Sequence, residues 1–122
     1  MTLLNSDDEI LLLHNPGCSK SRATLALLEE RGTTFRIRPY LEEPLTRAEL
    51  DELRACLGAS AKDWVRRGQD EYAAAGLDAS AAENEVLDAM ASAPVLMERP
   101  IVVHGSKAAI GRPPESVLGI LD

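Results

Sequence analysis

The chain has 122 residues and a formal net charge of -7, and 45% of its residues are hydrophobic while 27% are charged. This length predicts one domain with its own core, and the balance of apolar and charged residues excludes a disordered or membrane-embedded class. The excess of acidic residues and the aromatic content of only 3% argue against a nucleic-acid-binding surface, which needs basic groups and stacking rings.

The N-terminal segment and the cysteine content predict a cytoplasmic protein. "MTLLNSDDEI" carries acidic residues where a signal peptide carries Lys or Arg, and it has no long apolar centre. No apolar run approaches the roughly 20 residues that a membrane span needs. Cys18 and Cys56 are therefore expected to be reduced thiols, with Cys56 packed in an amphipathic helix. The chain has only two cysteines and two histidines, and their spacing is not that of metal ligands, so we expect no metal site and no bound cofactor.

The first forty residues predict a β-α-β unit. "EILLLH", residues 9–14, is the continuous apolar run of a strand buried on both faces, and an Asn-Pro-Gly turn ends it. "CSKSRATLALLEERG" contains good helix formers and stops at Gly32. "TTFRIRPY", residues 33–40, alternates apolar and basic side chains, which predicts a second strand; the helix between makes the pair parallel.

The rest of the chain predicts a helical segment at about 45–93, followed by a β-β-α unit. Capping-box spacing at Thr46 with Glu49, and at Ser80 with Glu83, predicts two helix starts, with two short helices between them closed by glycines. A β-branched strand at 101–103, a turn at Gly105, a strand around 107–110 and a helix opened by Pro114 complete the order. The expected fold is a single α/β domain over 1–122 with a mixed four-stranded sheet.

The stretch "LLLHNPGCSKSR" places Cys18 where a strand passes into a helix. Unpaired N–H groups and the dipole at a helix N-terminus favour a thiolate over a thiol, so Cys18 is a candidate nucleophile. His14 lies upstream at the strand end, basic residues follow, and Ser21 occupies the position of the second thiol in a two-cysteine redox protein. The alternative is that Cys18 is a small buried hydrophobe.

Arginines stand at the ends of predicted elements rather than along exposed faces. Guanidinium forks suit tetrahedral oxyanions because they give paired, charge-assisted hydrogen bonds, whereas the alternative role is surface solubility. The candidates are Arg66, Arg67, Arg99 and Arg112. Arg99 also precedes Pro100 at a strand start, a candidate cis peptide bond, although trans is the commoner form of such a bond.

Four motifs together resemble one family. "HNPGCSKSR", "YLEEP", "MERPIVV" and "IGRPP", in this order and at these separations, resemble the glutaredoxin-coupled arsenate reductases. The resemblance runs from about residue 10 to 121. It implies the thioredoxin fold, in which the segment at about 45–93 is a helical insertion between the two halves.

The resemblance also implies roles for individual residues. Cys18 matches the catalytic nucleophile that attacks the arsenic of arsenate. The residues that surround and help to ionise this thiol match His14, Asn15 and Ser21, with Arg22 in the same loop motif. The oxyanion-holding residues match Arg66, Arg99 and Arg112. Pro100 matches the cis-proline of the thioredoxin fold.

The implied partners are arsenate, glutathione and glutaredoxin. Because Ser21 replaces a resolving cysteine, the second thiol has to come from outside, and disulfide exchange with glutathione as co-substrate is the natural chemistry. The implied cycle runs from attack by Cys18 on arsenate, through addition of glutathione and release of arsenite, to a mixed disulfide that glutaredoxin reduces. We expect a monomer that binds neither nucleic acid nor membrane.

Two other functions stay open at this point. "CSKSR" and "MERPIVV" are also similar to uncharacterised relatives in the family, which suggests a glutathione-dependent thiol reductase acting on another substrate. The layout also resembles redox-responsive regulators that bind RNA polymerase. Those carry two cysteines at C-x-x-C, where this chain has Ser21, and a lone thiol cannot form their local disulfide.

Overall fold

The computed structural model describes residues 3–121 and contains one four-stranded sheet. Its strands are β1 (Ile10–Leu13), β2 (Arg36–Arg38), β3 (Ile101–His104) and β4 (Lys107–Ile110). The α-helices are α1 (Ser19–Glu30), α2 (Arg47–Leu57), α3 (Asp70–Ala74) and α4 (Glu83–Ser92). Short 3₁₀ helices span Ala61–Asp63, Pro94–Leu96 and Pro114–Ile120. Met1, Thr2 and Asp122, at the ends of the predicted domain 1–122, lie outside the described residues.

The strands follow the order β2-β1-β3-β4 across the sheet. β1 is parallel to β2, with α1 as the crossover, while β3 is antiparallel to both β1 and β4. This confirms the predicted mixed four-stranded sheet of the thioredoxin-like fold. β2 is shorter than the predicted strand 33–40, because it lies at the sheet edge and Pro39 has no N–H to extend the ladder.

The two faces of the sheet carry separate cores, which explains the continuous apolar run in β1. Leu11 and Leu13 face the larger core, which also holds buried residues of α2 and α4. Leu12 faces the smaller core, with Leu28 of α1 and Val117 of the last 3₁₀ helix. Because successive strand side chains point to opposite faces, β1 has to be apolar at every position to fill both cores.

The alternating pattern correctly predicts the strand β2, but it is the basic side chains of this strand that form specific contacts. Arg36 forms an ion pair with Glu9 at 2.8 Å. Arg38 makes two hydrogen bonds to the carboxylate of Glu49, at 2.6 and 3.0 Å. Ile37, between them, is 44% exposed. At this edge of the sheet, the arginine side chains with their carboxylate partners are therefore held in place, while the apolar side chain between them is left partly exposed to solvent.

The predicted capping box at the start of α2 is confirmed. The N–H of Glu49 donates to the hydroxyl of Thr46 at 3.1 Å, and the N–H of Thr46 donates to the Glu49 carboxylate at 2.9 Å. Gly58 closes the helix with a φ of 65°, a conformation that favours glycine.

The predicted box of Ser80 with Glu83 is wrong. Ser80 donates instead to the carboxylate of Asp78, at 2.6 Å from its hydroxyl. Glu83 accepts hydrogen bonds from the hydroxyl of Ser60 and the N–H of Ala61, which are distant in sequence. Helix α4 begins at Glu83 itself.

The β-β-α half follows the predicted order. The turn between β3 and β4 requires Gly105, whose φ is 61° and where a Cβ atom would lie 2.7 Å from the carbonyl oxygen of Asp7. The final helix is a 3₁₀ helix, Pro114–Ile120. Within residues 3–121, no helix has the length and apolar character required to cross a bilayer.

Candidate active site

Cys18 is the N-cap residue of α1, at the end of a loop that leaves the sheet from β1. The loop is closed by local hydrogen bonds: the Cys18 N–H donates to the Asn15 carbonyl, and the Gly17 N–H donates to the Asn15 side-chain oxygen, both at 3.0 Å. The guanidinium of Arg22 donates to the Pro16 carbonyl at 2.8 Å. These contacts fix the position of a half-buried sulfur at the open end of a helix.

Below this loop, a buried serine connects two of the predicted site residues. The Ser21 hydroxyl accepts from the Asn15 N–H at 2.9 Å and lies 2.6 Å from Nδ1 of His14. Burial, together with the charge of Arg22, lowers the pKa of His14, which favours a neutral ring. With its proton on Nε2, His14 accepts from Ser21; with the proton on Nδ1, it donates, and the hydroxyl proton of Ser21 can point elsewhere.

The surroundings of Cys18 lower the pKa of its thiol. Burial is the largest influence and acts in the opposite direction, but it is outweighed by the N–H groups of Ser21 and Lys20 and by the charges of Arg99 and Arg112. No capping hydrogen bond of normal geometry reaches the sulfur, so the N–H groups act through their dipoles. The site therefore favours a thiolate, as the position at a helix N-terminus predicts.

A short antiparallel pairing brings Arg66 to Arg99. The Arg66 N–H donates to the Leu96 carbonyl at 2.7 Å, and the Glu98 N–H donates to the Trp64 carbonyl at 2.9 Å. Trp64 is 1% exposed, so the larger core anchors this pairing. Burial and then the charge of Arg99 lower the pKa of Arg66. The two guanidinium groups are thus close enough to repel each other.

One nitrogen of the Arg99 guanidinium group forms an ion pair, while another has no hydrogen-bond partner among the described residues. Its Nη1 forms an ion pair with the carboxylate of Glu98 at 3.0 Å. Its Nε is buried and, among the residues that the structure describes, has no hydrogen-bond partner. A buried charged donor without an acceptor is costly, and a bound anion would supply the acceptor.

Arg112 reaches the site because Gly111 packs tightly against Pro100. The Gly111 N–H donates to the Pro100 carbonyl at 2.9 Å, and a Cβ atom on Gly111 would lie 2.6 Å from the hydroxyl oxygen of Thr24. The Arg112 guanidinium then donates to the Arg99 carbonyl at 3.3 Å. The Arg99–Pro100 bond is cis, as the resemblance implies, and the Arg112–Pro113 bond is cis as well.

The structure thus places the predicted residues in two groups. The first group surrounds the sulfur electrostatically and comprises Arg66, Arg99 and Arg112. The second shapes and supports the loop and comprises His14, Asn15, Ser21 and Arg22. The catalytic and oxyanion-binding roles of these residues stay predictions. Within residues 3–121, no cluster of three or more His, Cys, Asp or Glu side chains is arranged to hold a metal ion.

Three further residues, a cysteine, an arginine and a histidine, lie in other surroundings. Cys56 is half-buried against the larger core, and burial, with the charge of Glu52, raises the pKa of its thiol. Arg67 is exposed and donates to the Lys62 carbonyl at 3.0 Å. His104 contacts the Ile120 carbonyl at 2.5 Å through Nδ1.

Sequence reasoning missed the roles of Tyr40 and Glu98. Tyr40 belongs to the quoted motif "YLEEP" and is 1% exposed, and the electrostatic influences on its hydroxyl come from Arg66, Arg99 and Cys18. An aromatic residue two positions after the end of β2 is a signal that could have identified it. Glu98 adjoins Arg99 in sequence, but adjacency alone does not predict their ion pair.

The chain is similar in sequence and in fold to known proteins. The chain matches the ArsC family model over residues 13–120. It is 47% identical over 115 residues to the "Uncharacterized protein YfgD" of Escherichia coli (strain K12), covering 93% of this chain and 97% of that protein. It is 46% identical over 115 residues to an "Arsenate reductase" of Neisseria meningitidis (strain MC58), covering 93% of this chain and 98% of the relative. A solved structure, "Arsenate reductase from Vibrio cholerae", superposes with a TM-score of 0.88 at 41% identity, covering 93% and 98% of the two chains.

The pH dependence of alkylation tests the electrostatics of Cys18. We expect the rate of its reaction with iodoacetamide, followed on the Cys18 peptide by mass spectrometry, to rise with a midpoint below the value of about 8.5 for an ordinary cysteine. Arg112→Ala removes a charge that favours the thiolate, so its midpoint should lie about half to one pH unit higher. Arg67→Ala is the matched control and should not move the midpoint. An equal midpoint in Arg112→Ala and the wild type would contradict this assignment.

Replacing Ser21 tests whether it holds the loop. Ser21→Ala leaves the Asn15 N–H and Nδ1 of His14 without their partner, which should lower the free energy of unfolding by about 1–3 kcal/mol. The better helix propensity of alanine offsets this by less than about 0.7 kcal/mol. Urea denaturation measures the change, with Ser19→Ala, an exposed serine of the same turn, as control. Equal midpoints for the two variants would contradict the role.

Proposed function

The chain belongs to the ArsC family, and from this premise we propose that it reduces arsenate to arsenite through the Cys18 thiolate, with electrons from glutathione and glutaredoxin. The similarity to proteins named arsenate reductase supports the substrate. The geometry supports the chemistry, because one site combines a nucleophile with an anion-binding surface.

The observation that carries this proposal is the arginine cluster around the sulfur. Arg99 and Arg112 lower the pKa of the Cys18 thiol, and the influences on Arg66 include both Arg99 and Cys18. Although the chain has a net charge of -7, several positive charges are concentrated around this one sulfur, which is unfavourable without a negative ligand. A tetrahedral oxyanion is a suitable ligand, since it accepts several charge-assisted hydrogen bonds and relieves the repulsion between the guanidinium groups.

The unpartnered Nε of Arg99 supports an anion position beside this guanidinium group. One edge of this guanidinium is occupied by Glu98, and Nε remains for an incoming oxygen. Arg112 is exposed and lies at the Arg99 carbonyl, so it can close over an anion from the solvent side. Arsenate held in this way lies beside the thiolate that attacks it, which lowers the entropic cost of the reaction.

In the proposed reaction, the electrons come from two sulfur atoms. The Cys18 thiolate forms a bond to As(V), and one arsenate oxygen leaves as water after protonation. The thiol of glutathione then displaces a second oxygen, again as water. When the two sulfurs join as a disulfide, both arsenic–sulfur bonds break and the arsenic gains two electrons. One water adds to the arsenic, which leaves as arsenite. Cys18 is left as a mixed disulfide with glutathione.

Regeneration then requires a thiol from outside the chain. The residue at the position of a resolving cysteine is Ser21, which is buried and bonded within the loop. Cys56 packs against the larger core and has a raised pKa. A glutaredoxin thiolate therefore attacks the glutathione sulfur and releases Cys18. This cycle suits the cytoplasm, where the glutathione pool is kept reduced.

Turnover in a coupled assay tests the proposal. We expect arsenate-dependent NADPH oxidation in the presence of glutathione, glutathione reductase and glutaredoxin, and complete loss of it in Cys18→Ser. Arg66→Ala and Arg112→Ala each remove charged hydrogen bonds to the anion, so kcat/KM should fall about tenfold to hundredfold.

Two matched variants serve as controls for this assay. Arg67→Ala and Cys56→Ser should keep wild-type turnover, since neither side chain lies at the site. Full activity in Cys18→Ser would contradict the mechanism. A folded wild type that accepts glutathione at Cys18 but ignores arsenate would instead indicate a thiol reductase with another substrate.

A further inference from the structure

Tyr40 lies beside the candidate active site, although it follows β2 whereas the loop that carries Cys18 follows β1. It follows β2, and the N–H of His14 donates to the Arg38 carbonyl at 3.0 Å, so the ends of the parallel strands β1 and β2 lie together. The loop that carries Cys18 leaves from the end of β1. Tyr40 is therefore placed next to that loop, and only 1% of its surface is exposed.

The hydroxyl of Tyr40 is a buried polar group without a partner. Among the described residues, three buried side-chain atoms have no hydrogen-bond partner: the Tyr40 hydroxyl, Nε of Arg99 and Nε of Arg47. Arg47 lies on α2 and pairs with Asp88. The other two both belong to the region around Cys18. Since buried tyrosine hydroxyls usually find a partner, this coincidence points to a missing acceptor.

The charges around Tyr40 indicate what that acceptor is. Arg66, Arg99 and Cys18 all act on the hydroxyl, and the amide of Asn15 lies beside it without forming a hydrogen bond of normal geometry. Burial raises the pKa of Tyr40, so at neutral pH it is a neutral O–H donor. Guanidinium groups only donate, and cannot accept this proton. An oxygen of an anion bound by the arginines can accept it.

We propose that Tyr40 is a further ligand of the oxyanion: its buried hydroxyl donates a hydrogen bond to an oxygen of the anion held by Arg66 and Arg99. This rests on the proposed function. The hydroxyl adds a directional contact without adding charge, so it orients the tetrahedral anion for attack by Cys18. It leaves the ionisation of the free thiol unchanged.

Tyr40→Phe tests this proposal because it removes only the hydroxyl and keeps the ring. The measurement is the protection of Cys18 from iodoacetamide by arsenate, and by sulfate as an anion that is not reduced, without glutathione. We expect both anions to protect the wild type and to bind Tyr40→Phe about tenfold to hundredfold more weakly. Tyr72→Phe, which removes the hydroxyl of a half-buried tyrosine on α3, is the matched control and should bind like the wild type.

Two further readouts separate ligand binding from other roles. Thermal unfolding of Tyr40→Phe should occur at or above the wild-type temperature, because an unpartnered buried hydroxyl has been removed. The pH midpoint of Cys18 alkylation without anion should equal that of the wild type. A raised midpoint together with unchanged anion affinity would show that the hydroxyl serves the thiolate instead, and would overturn the proposal.

The outcomes also distinguish this inference from the proposed function. If anions protect the wild type and Tyr40→Phe equally, the role of Tyr40 is wrong while the arginine site stands. If neither arsenate nor sulfate protects the wild type at any concentration below the onset of general salt effects, the anion site itself is absent, and the proposed function and the role of Tyr40 are both overturned.

Discussion

Repulsion between positive charges in a half-buried site is the constraint on which the rest of this structure depends. Burial and the charge of Arg99 lower the pKa of Arg66, and Arg112 lies at the carbonyl of Arg99. Like charges gather in this way only where other parts of the fold enforce it. Here the buried Trp64 anchors the segment that carries Arg66, and tight packing of Gly111 against Pro100 positions the segment that carries Arg112. The larger core thereby stabilises a charge distribution that is unfavourable by itself.

Two negative groups of the chain offset this repulsion. Glu98 pairs with Arg99 and neutralises part of the charge in the absence of an anion. The Cys18 thiolate is a second counter-charge, since the charges of Arg99 and Arg112 lower the pKa of its thiol. In the proposed function, a bound oxyanion adds a third counter-charge. Because Glu98 pairs with Arg99, we expect an anion that binds through several oxygens at once, as a tetrahedral oxyanion does, to compete best.

Local patterns in the sequence predicted most of the fold, but in the candidate site only the loop around Cys18. The order of elements along the chain, the α2 capping box and the place of Cys18 follow from contacts between near neighbours. The capping box at Ser80 was wrong because Glu83 binds groups from a distant segment, which spacing cannot reveal. The arginine cluster needed the family resemblance, since each arginine reaches the site through long-range pairing. The unpartnered hydroxyl of Tyr40 depends on burial by several elements, so only the structure shows it.

The most direct test of this account is whether arsenate itself drives glutathione onto Cys18. The protein is incubated with reduced glutathione and arsenate, in the absence of oxygen and of glutaredoxin. The mass of the peptide that contains Cys18 is then measured by mass spectrometry. Because reduced glutathione cannot form a disulfide unless an oxidant accepts two electrons, the account predicts a glutathionyl group on Cys18 only when arsenate is present, with arsenite released in equal amount. Arsenite released without modification of Cys18, or modification at the same rate without arsenate, would contradict the central claim.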